Sequence, residues 1–112
     1  MKRLIRVLTL ALSLAATIAV AALFNQGAFE TAQAAGKPVL VEVHADWCPV
    51  CAKQKPVIAE LVSRPDMKVY QVFTVDFDTQ KDLLKRFAVQ RQSTLIVSKG
   101  KQKVSSSTPP RG

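Results

Sequence analysis

Hydrophobic and polar positions divide the chain into three regions. The first is strongly apolar and carries no charged side chain from residue 7 to residue 26. From residue 37 to about residue 104, short apolar runs alternate with amphipathic stretches. The last eight residues are mainly Ser, Thr and Pro and offer no apolar side chain for a core. This pattern predicts a leader over residues 1–34, one folded domain over residues 35–104 and a disordered tail over residues 105–112.

The first region has the three parts of a secretory signal peptide. Basic residues at positions 2, 3 and 6 precede the apolar segment, and small residues follow it. Ala32-Gln33-Ala34 fits the A-x-A pattern that signal peptidase cleaves. We therefore expect export to the bacterial periplasm and cleavage after Ala34. The alternative is an uncleaved anchor in the inner membrane, because residues 7–24 are just long enough to span a bilayer.

The middle region alternates between strand and helix patterns. Runs rich in Val, Ile, Phe and Tyr predict strands at residues 39–43, 69–77 and 94–97, with an edge strand at 101–104. Helical spacing predicts helices at 48–63 and 80–88, the second capped by Asp78-Thr79. The first helix has an apolar stripe of Val50, Val57, Ile58, Leu61 and Val62. The order of the elements predicts an α/β fold, with a mixed central sheet flanked by helices.

Length and charge limit the classes of function. A chain of 112 residues has room for one domain, and 16 Lys and Arg against 8 Asp and Glu give a formal charge of +8. These basic residues are scattered and are not interleaved with aromatic side chains, which argues against nucleic-acid binding. Two cysteines are too few for a disulfide-stapled miniprotein.

The chemistry is concentrated in the segment Trp47-Cys48-Pro49-Val50-Cys51, where a buried strand meets a helix. At the helix N-cap, Cys48 would face free backbone N–H groups and the positive end of the helix dipole, which favour a thiolate. Pro49 suits the first helical position. Cys51 lies one turn later, where it can close a disulfide with Cys48. A zinc site normally needs four ligands, and beyond the cysteines the domain offers only His44.

These residues resemble those of exported members of the thioredoxin family. The resemblance covers about residues 37–104, and the family's helix-kinking proline corresponds to Pro56. Its further matches are the run of residues 39–51, Val75-Asp76 and Thr94-Leu95-Ile96-Val97. It implies a thioredoxin-like fold that is shortened at the C-terminus, and disulfide exchange with protein or peptide thiols. It requires no organic cofactor, and a membrane electron-transfer protein is an expected partner.

The resemblance also implies roles for individual residues. Cys48 is the expected nucleophile and Cys51 the expected resolving thiol, acting through a mixed disulfide. Glu42 falls where the family keeps a buried acid, and we expect it to exchange a proton with Cys51. The residues expected to contact the substrate are Trp47, Pro49, Val50, Ser93 and Thr94.

Two departures from the family leave alternatives open. Ser93 stands where the family has a cis-proline, so we expect a trans peptide bond there. Without the proline ring, Cys48 and Cys51 are open to copper or zinc, with His44 as a third ligand. The second departure is that the family's closing helix has no counterpart before residue 112. This favours a further alternative, an inactive and truncated family member.

Overall fold

The computed structural model describes residues 22–109 and contains eight elements of secondary structure. In chain order they are β1 (Ala22–Leu23), α1 (Gln26–Ala34), β2 (Pro38–His44), α2 (Pro49–Ser63), β3 (Gln71–Asp76), α3 (Lys81–Arg86), β4 (Leu95–Lys99) and β5 (Gln102–Ser107). From β2 onward, this order confirms the predicted alternation. A strand and a helix that we had not predicted precede it.

The strands form one mixed sheet in the order β1-β3-β2-β4-β5. β1 and β2 run parallel to β3, whereas β4 is antiparallel to β2 and β5 is antiparallel to β4. β2 therefore lies at the centre, and Val41 pairs with Phe73 of β3 on one side and with Ile96 of β4 on the other. This confirms the predicted α/β fold with a mixed central sheet flanked by helices.

Alternate residues of the strands pack against helices on opposite faces of the sheet. On one face, α1 and α3 cover the main core, which includes Val39, Val41, Val43, Phe73, Val75 and Ile96. On the other face, Ile58 and Val62 of α2 pack against Val72 of β3. The predicted apolar stripe of α2 is too wide, because Val57 and Leu61 are exposed to solvent.

The N-terminal strand and helix belong to this core. Asn25 caps α1 by accepting a hydrogen bond from the N–H of Ala28 at 3.0 Å. Phe24, Phe29 and Ala32 are buried, and the rings of Phe24 and Phe29 lie 5.0 Å apart. The folded domain thus begins before the boundary that we predicted at residue 35, because the apolar residues of this segment continue the composition of the leader.

The predicted signal peptide lies mostly outside the described residues, which begin at residue 22. Cleavage after Ala34 remains a prediction, and it would remove Phe24, Phe29 and Ala32 from the core. Within residues 22–109, no helix has the length and apolar character needed to cross a membrane.

The C-terminal end of the described chain continues the sheet. β5 extends to Ser107, so Ser105, Ser106 and Ser107 pair with β4 instead of being disordered as we predicted. Backbone hydrogen bonds need no apolar side chain, which explains how an exposed polar segment forms this edge strand. Beyond the strand, the hydroxyl groups of Thr108 and Thr94 lie 2.8 Å apart.

The start of α3 differs from the predicted cap. Its N-cap is Gln80, which makes no side-chain capping bond. The two residues that we predicted as caps, Asp78 and Thr79, instead donate their N–H groups to the carboxylate of Asp76 at 2.8 and 3.1 Å. This turn follows β3 directly and leaves the side chain of Asp78 available on the surface.

Candidate functional site

The two cysteines lie at the N-terminus of α2, as predicted. Cys48 is the N-cap residue, Pro49 is at the first helical position, and the Cys51 N–H donates to the sulfur of Cys48 at 3.1 Å. Both thiols are free, and the two residues are only 2% and 3% exposed. Val50 packs against the same small cluster. The helix N-terminus thus supplies a hydrogen bond that stabilises negative charge on the Cys48 sulfur.

Cys51 is held in its protonated form. Its thiol lies 3.7 Å from the carbonyl oxygen of Val43, to which it donates. The pKa of Cys51 is raised to about 11, mainly by burial and then by its hydrogen bond with Cys48, whereas the backbone groups at Ala45 and Ser93 act in the opposite direction. At neutral pH, therefore, Cys51 keeps its proton while the Cys48 sulfur receives an N–H donor.

Glu42 is buried in β2, next to β3. It pairs with Thr74 across the sheet, and the Thr74 hydroxyl donates to the Glu42 carboxylate at 2.6 Å. Glu42 immediately precedes Val43, whose carbonyl oxygen accepts the Cys51 thiol. The structure therefore places a buried carboxylate in the same strand segment that accepts the Cys51 thiol.

Trp47 lies on the surface beside the cysteines and is 58% exposed. Its indole N–H donates to both carboxylate oxygens of Asp78, at 3.1 and 3.0 Å. Its ring meets the ring of Phe77 edge-on, with the centroids 6.3 Å apart. The indole is thus held in one orientation while more than half of the residue's surface remains open to solvent.

Ser93 and Thr94 are connected to the site by hydrogen bonds with Val43 of β2. No cis peptide bond occurs among the described residues, which confirms the trans bond that we predicted before Ser93. The Ser93 N–H donates to the Val43 carbonyl oxygen at 2.7 Å, and the Val43 N–H donates to the Thr94 carbonyl oxygen at 3.0 Å. The Thr94 hydroxyl also donates to the carbonyl oxygen of Arg91 at 2.8 Å. A proline could not make the bond from residue 93, because it has no N–H.

His44 does not join the cysteines in a metal site. Its Nε2 atom lies 3.0 Å from the carboxylate of Asp46, which is almost fully exposed. Across residues 22–109, no group of three or more His, Cys, Asp or Glu side chains is placed to hold a metal ion. The three ligands of the alternative copper or zinc site are therefore not assembled.

Three polar side chains at this site were missed from the sequence. They are Gln54, Thr74 and Asp78, which contact Ser93, Glu42 and Trp47 across separations of 39, 32 and 31 residues. Of the three, only Thr74 could have been found from the sequence, because it lies in a predicted strand. In the structure that strand pairs with β2 and places Thr74 opposite Glu42. The other two contacts depend on how α2 and the turn after β3 approach their partners.

Comparison with known proteins agrees with this geometry. The family model described as Thioredoxin matches residues 20–111. The chain belongs to the thioredoxin family. Among solved structures, Trxlp from Edwardsiella tarda EIB202 is 45% identical, with a TM-score of 0.76 over 79% of this chain and 85% of that one. The match to the family includes β1 and α1, which we had assigned to the leader.

Curated relatives include both thioredoxins and larger proteins. Thioredoxin 1 of Nostoc sp. (strain PCC 7120) is 33% identical over 67 residues, which cover 60% of this chain and 62% of that protein. Protein disulfide-isomerase erp38 of Neurospora crassa is 39% identical over 98 residues, covering 85% of this chain but 26% of that protein. The chain thus spans about three fifths of the first relative and about a quarter of the second.

Proposed function

We propose that this thioredoxin-family chain is a thiol–disulfide oxidoreductase that acts on protein or peptide thiols and disulfides. The observation that carries the proposal is the contrast between its two thiols. The Cys48 sulfur accepts an N–H bond at the start of α2, whereas burial raises the pKa of Cys51 to about 11. One sulfur is suited to attack, and the other holds its proton until it is needed.

The exchange proceeds in two steps that together move two electrons. The Cys48 thiolate attacks one sulfur of a substrate disulfide, the substrate S–S bond breaks, and one substrate thiolate leaves as a mixed disulfide forms. Cys51 then gives up its proton and attacks the Cys48 sulfur. This closes the Cys48–Cys51 disulfide and releases the second substrate thiolate. Glu42, buried next to Val43, is the group that we propose accepts the proton from Cys51.

The surface around Cys48 is the proposed substrate site. Trp47 presents an exposed ring that Asp78 holds in place, and Ser93 and Thr94, which directly precede β4, are hydrogen-bonded to Val43 of β2. Pro49 and Val50 complete the surface at the start of α2. The cysteine pair itself carries the two electrons, so the reaction needs no organic cofactor. A membrane electron-transfer protein is the proposed partner that resets the pair.

We propose that the chain is exported to the periplasm. The proposal is supported by the basic residues at positions 2, 3 and 6 and by the uncharged segment that follows them. Because Phe24 and Phe29 are core residues, processing fits the fold better after Ala19-Val20-Ala21, which also has the A-x-A form. A fusion to alkaline phosphatase, which is active only in the periplasm, tests the location. An inactive but intact fusion would contradict export.

Trapping the mixed disulfide tests the chemistry. Cys51→Ser removes the resolving thiol, so we expect this variant to accumulate a covalent adduct with native, disulfide-bonded insulin, seen on a non-reducing gel. Cys48→Ser is the matched control and should form no adduct, because the Cys51 thiol is protonated and buried. No adduct with either variant, or equal adducts with both, would contradict the assigned roles.

A further inference from the structure

The backbone of Ser93 has an unusual conformation for a residue that carries a Cβ atom. Its φ angle is +67°, in the left-handed region that favours glycine. The residue is only 5% exposed, so solvent does not hold it there. Such a conformation persists only where surrounding contacts impose it.

Two hydrogen bonds from different elements supply those contacts. From α2, the side-chain amide of Gln54 donates to the Ser93 carbonyl oxygen at 3.0 Å. From the other side, the Ser93 N–H donates to the Val43 carbonyl oxygen of β2 at 2.7 Å. Gln54 lies three residues after Cys51 on the same helix. We call this pair of bonds, through Gln54, Ser93 and Val43, the Ser93 clamp.

The Ser93 clamp shares a hydrogen-bond acceptor with the Cys51 thiol. The carbonyl oxygen of Val43 accepts both the Ser93 N–H and the Cys51 thiol. When Cys51 loses its proton, it can no longer donate to that oxygen, and the backbone groups at Ala45 and Ser93 are the ones that favour the new charge. The backbone at Ser93 also lowers the pKa of Cys51, against the larger effect of burial. The position of Ser93 therefore affects how easily Cys51 becomes a nucleophile.

We propose that Gln54 is a positioning residue that holds Ser93 in its left-handed conformation beside Cys51 and so sets the rate of the resolving step. This inference rests on the proposed function and deepens it. Gln54 contacts neither sulfur, and it acts through the loop that contains Ser93. Nothing in the local sequence indicates the role, because residues 54 and 93 are far apart along the chain.

A double-mutant cycle on the full chain tests the proposal. Gln54→Met keeps the length of the side chain but removes the donor, and it should slow exchange with oxidised insulin by about three- to tenfold, the loss expected for one hydrogen bond. In a Ser93→Gly background the same substitution should cost less than about twofold, because glycine adopts positive φ without penalty. Equal losses in both backgrounds, or no loss in either, would overturn the proposal.

The matched control is Gln102→Met, the same substitution at an exposed position in β5. It should leave the exchange rate with insulin unchanged. If it slows exchange as much as Gln54→Met does, the effect is not specific to the clamp and the proposal fails.

A second readout does not depend on activity. Gln54→Met should speed amide hydrogen exchange at Ser93 and at Val43, whose N–H donates to the Thr94 carbonyl oxygen, while Gln102→Met should not. Unchanged protection at both amides would overturn the proposal. If the wild-type chain exchanges no disulfides, the proposed function fails, and amide exchange still decides whether Gln54 holds Ser93.

Discussion

The clearest prediction concerns the segment before residue 35, which the structure places inside the folded domain. A chain that starts at Ala35 lacks β1 and α1 and, with them, two buried phenylalanines. Replacing a buried Phe by Ala costs about 3–5 kcal/mol, so losing Phe24 and Phe29 removes roughly 6–10 kcal/mol. The whole stability of a small domain is about 5–15 kcal/mol. We therefore expect the chain from Ala35 to be largely unfolded, whereas a chain that starts at Ala22 should fold.

Urea unfolding, followed by the fluorescence of Trp47 and by far-UV circular dichroism, measures the effect. The chain from Ala22 should show one cooperative transition, and the chain from Ala35 should show none. Single substitutions provide the matched control. Phe24→Ala should lower the free energy of unfolding by about 3 kcal/mol or more, while Leu23→Ala, at the exposed neighbouring position, should change it by less than about 0.5 kcal/mol.

The reasoning would be refuted if the chain from Ala35 unfolded cooperatively at the same urea concentration as the chain from Ala22. Equal effects of Phe24→Ala and Leu23→Ala would also refute it, because only Phe24 is in the core. The result bears directly on processing. If the segment is required for folding, the N-terminal residue of the exported protein should be Ala22, which Edman sequencing would detect.

Three further predictions follow from single contacts. The Cys51 thiol ionises near pH 9.0 when unfolded and near pH 11 when folded, so between these values the unfolded state holds fewer protons and stability should fall as pH rises. Urea midpoints at rising pH should show this fall, and Cys51→Ser should abolish it. Thr74→Val should lower the free energy of unfolding by about 1–3 kcal/mol, because it leaves the buried Glu42 carboxylate without its donor, while Thr74→Ser should retain most of that stability in the same urea assay. Asp78→Leu should lower the fluorescence anisotropy of Trp47, and Asp78→Asn, which keeps an acceptor, should preserve it. The first would be contradicted if Cys51→Ser lost stability with rising pH as the wild-type chain does, and the other two if the conservative variant behaved like the disruptive one.

Local patterns predicted much of the fold. The β-branched run before Trp47 and the change to helical spacing after Cys48 placed β2 and α2 within one residue of their observed bounds. The position of Cys48 at the N-cap followed from the same boundary, because Pro49 suits the first position of a helix, where no N–H is needed. Where the relevant interaction is between close neighbours in the chain, the sequence contains the information needed.

The remaining features depend on contacts between distant segments. Phe24 and Phe29 look like an extension of the apolar leader until Phe73 and Phe87 are seen packed around them. The contact between Gln54 and Ser93 needs α2 and the loop before β4 in place, and no local periodicity encodes that approach. The predicted trans bond at Ser93 was correct, but its positive φ angle was not foreseen.

The most direct test of the account is a redox titration of the full chain in graded mixtures of reduced and oxidised glutathione. Free thiols are counted by alkylation and mass spectrometry, and Trp47 fluorescence reports the state of its neighbour Cys48. The account predicts one reversible two-electron transition in which Cys48 and Cys51 oxidise together, and its loss in Cys48→Ser. Cysteines that take up glutathione independently, or that show no transition, would contradict it.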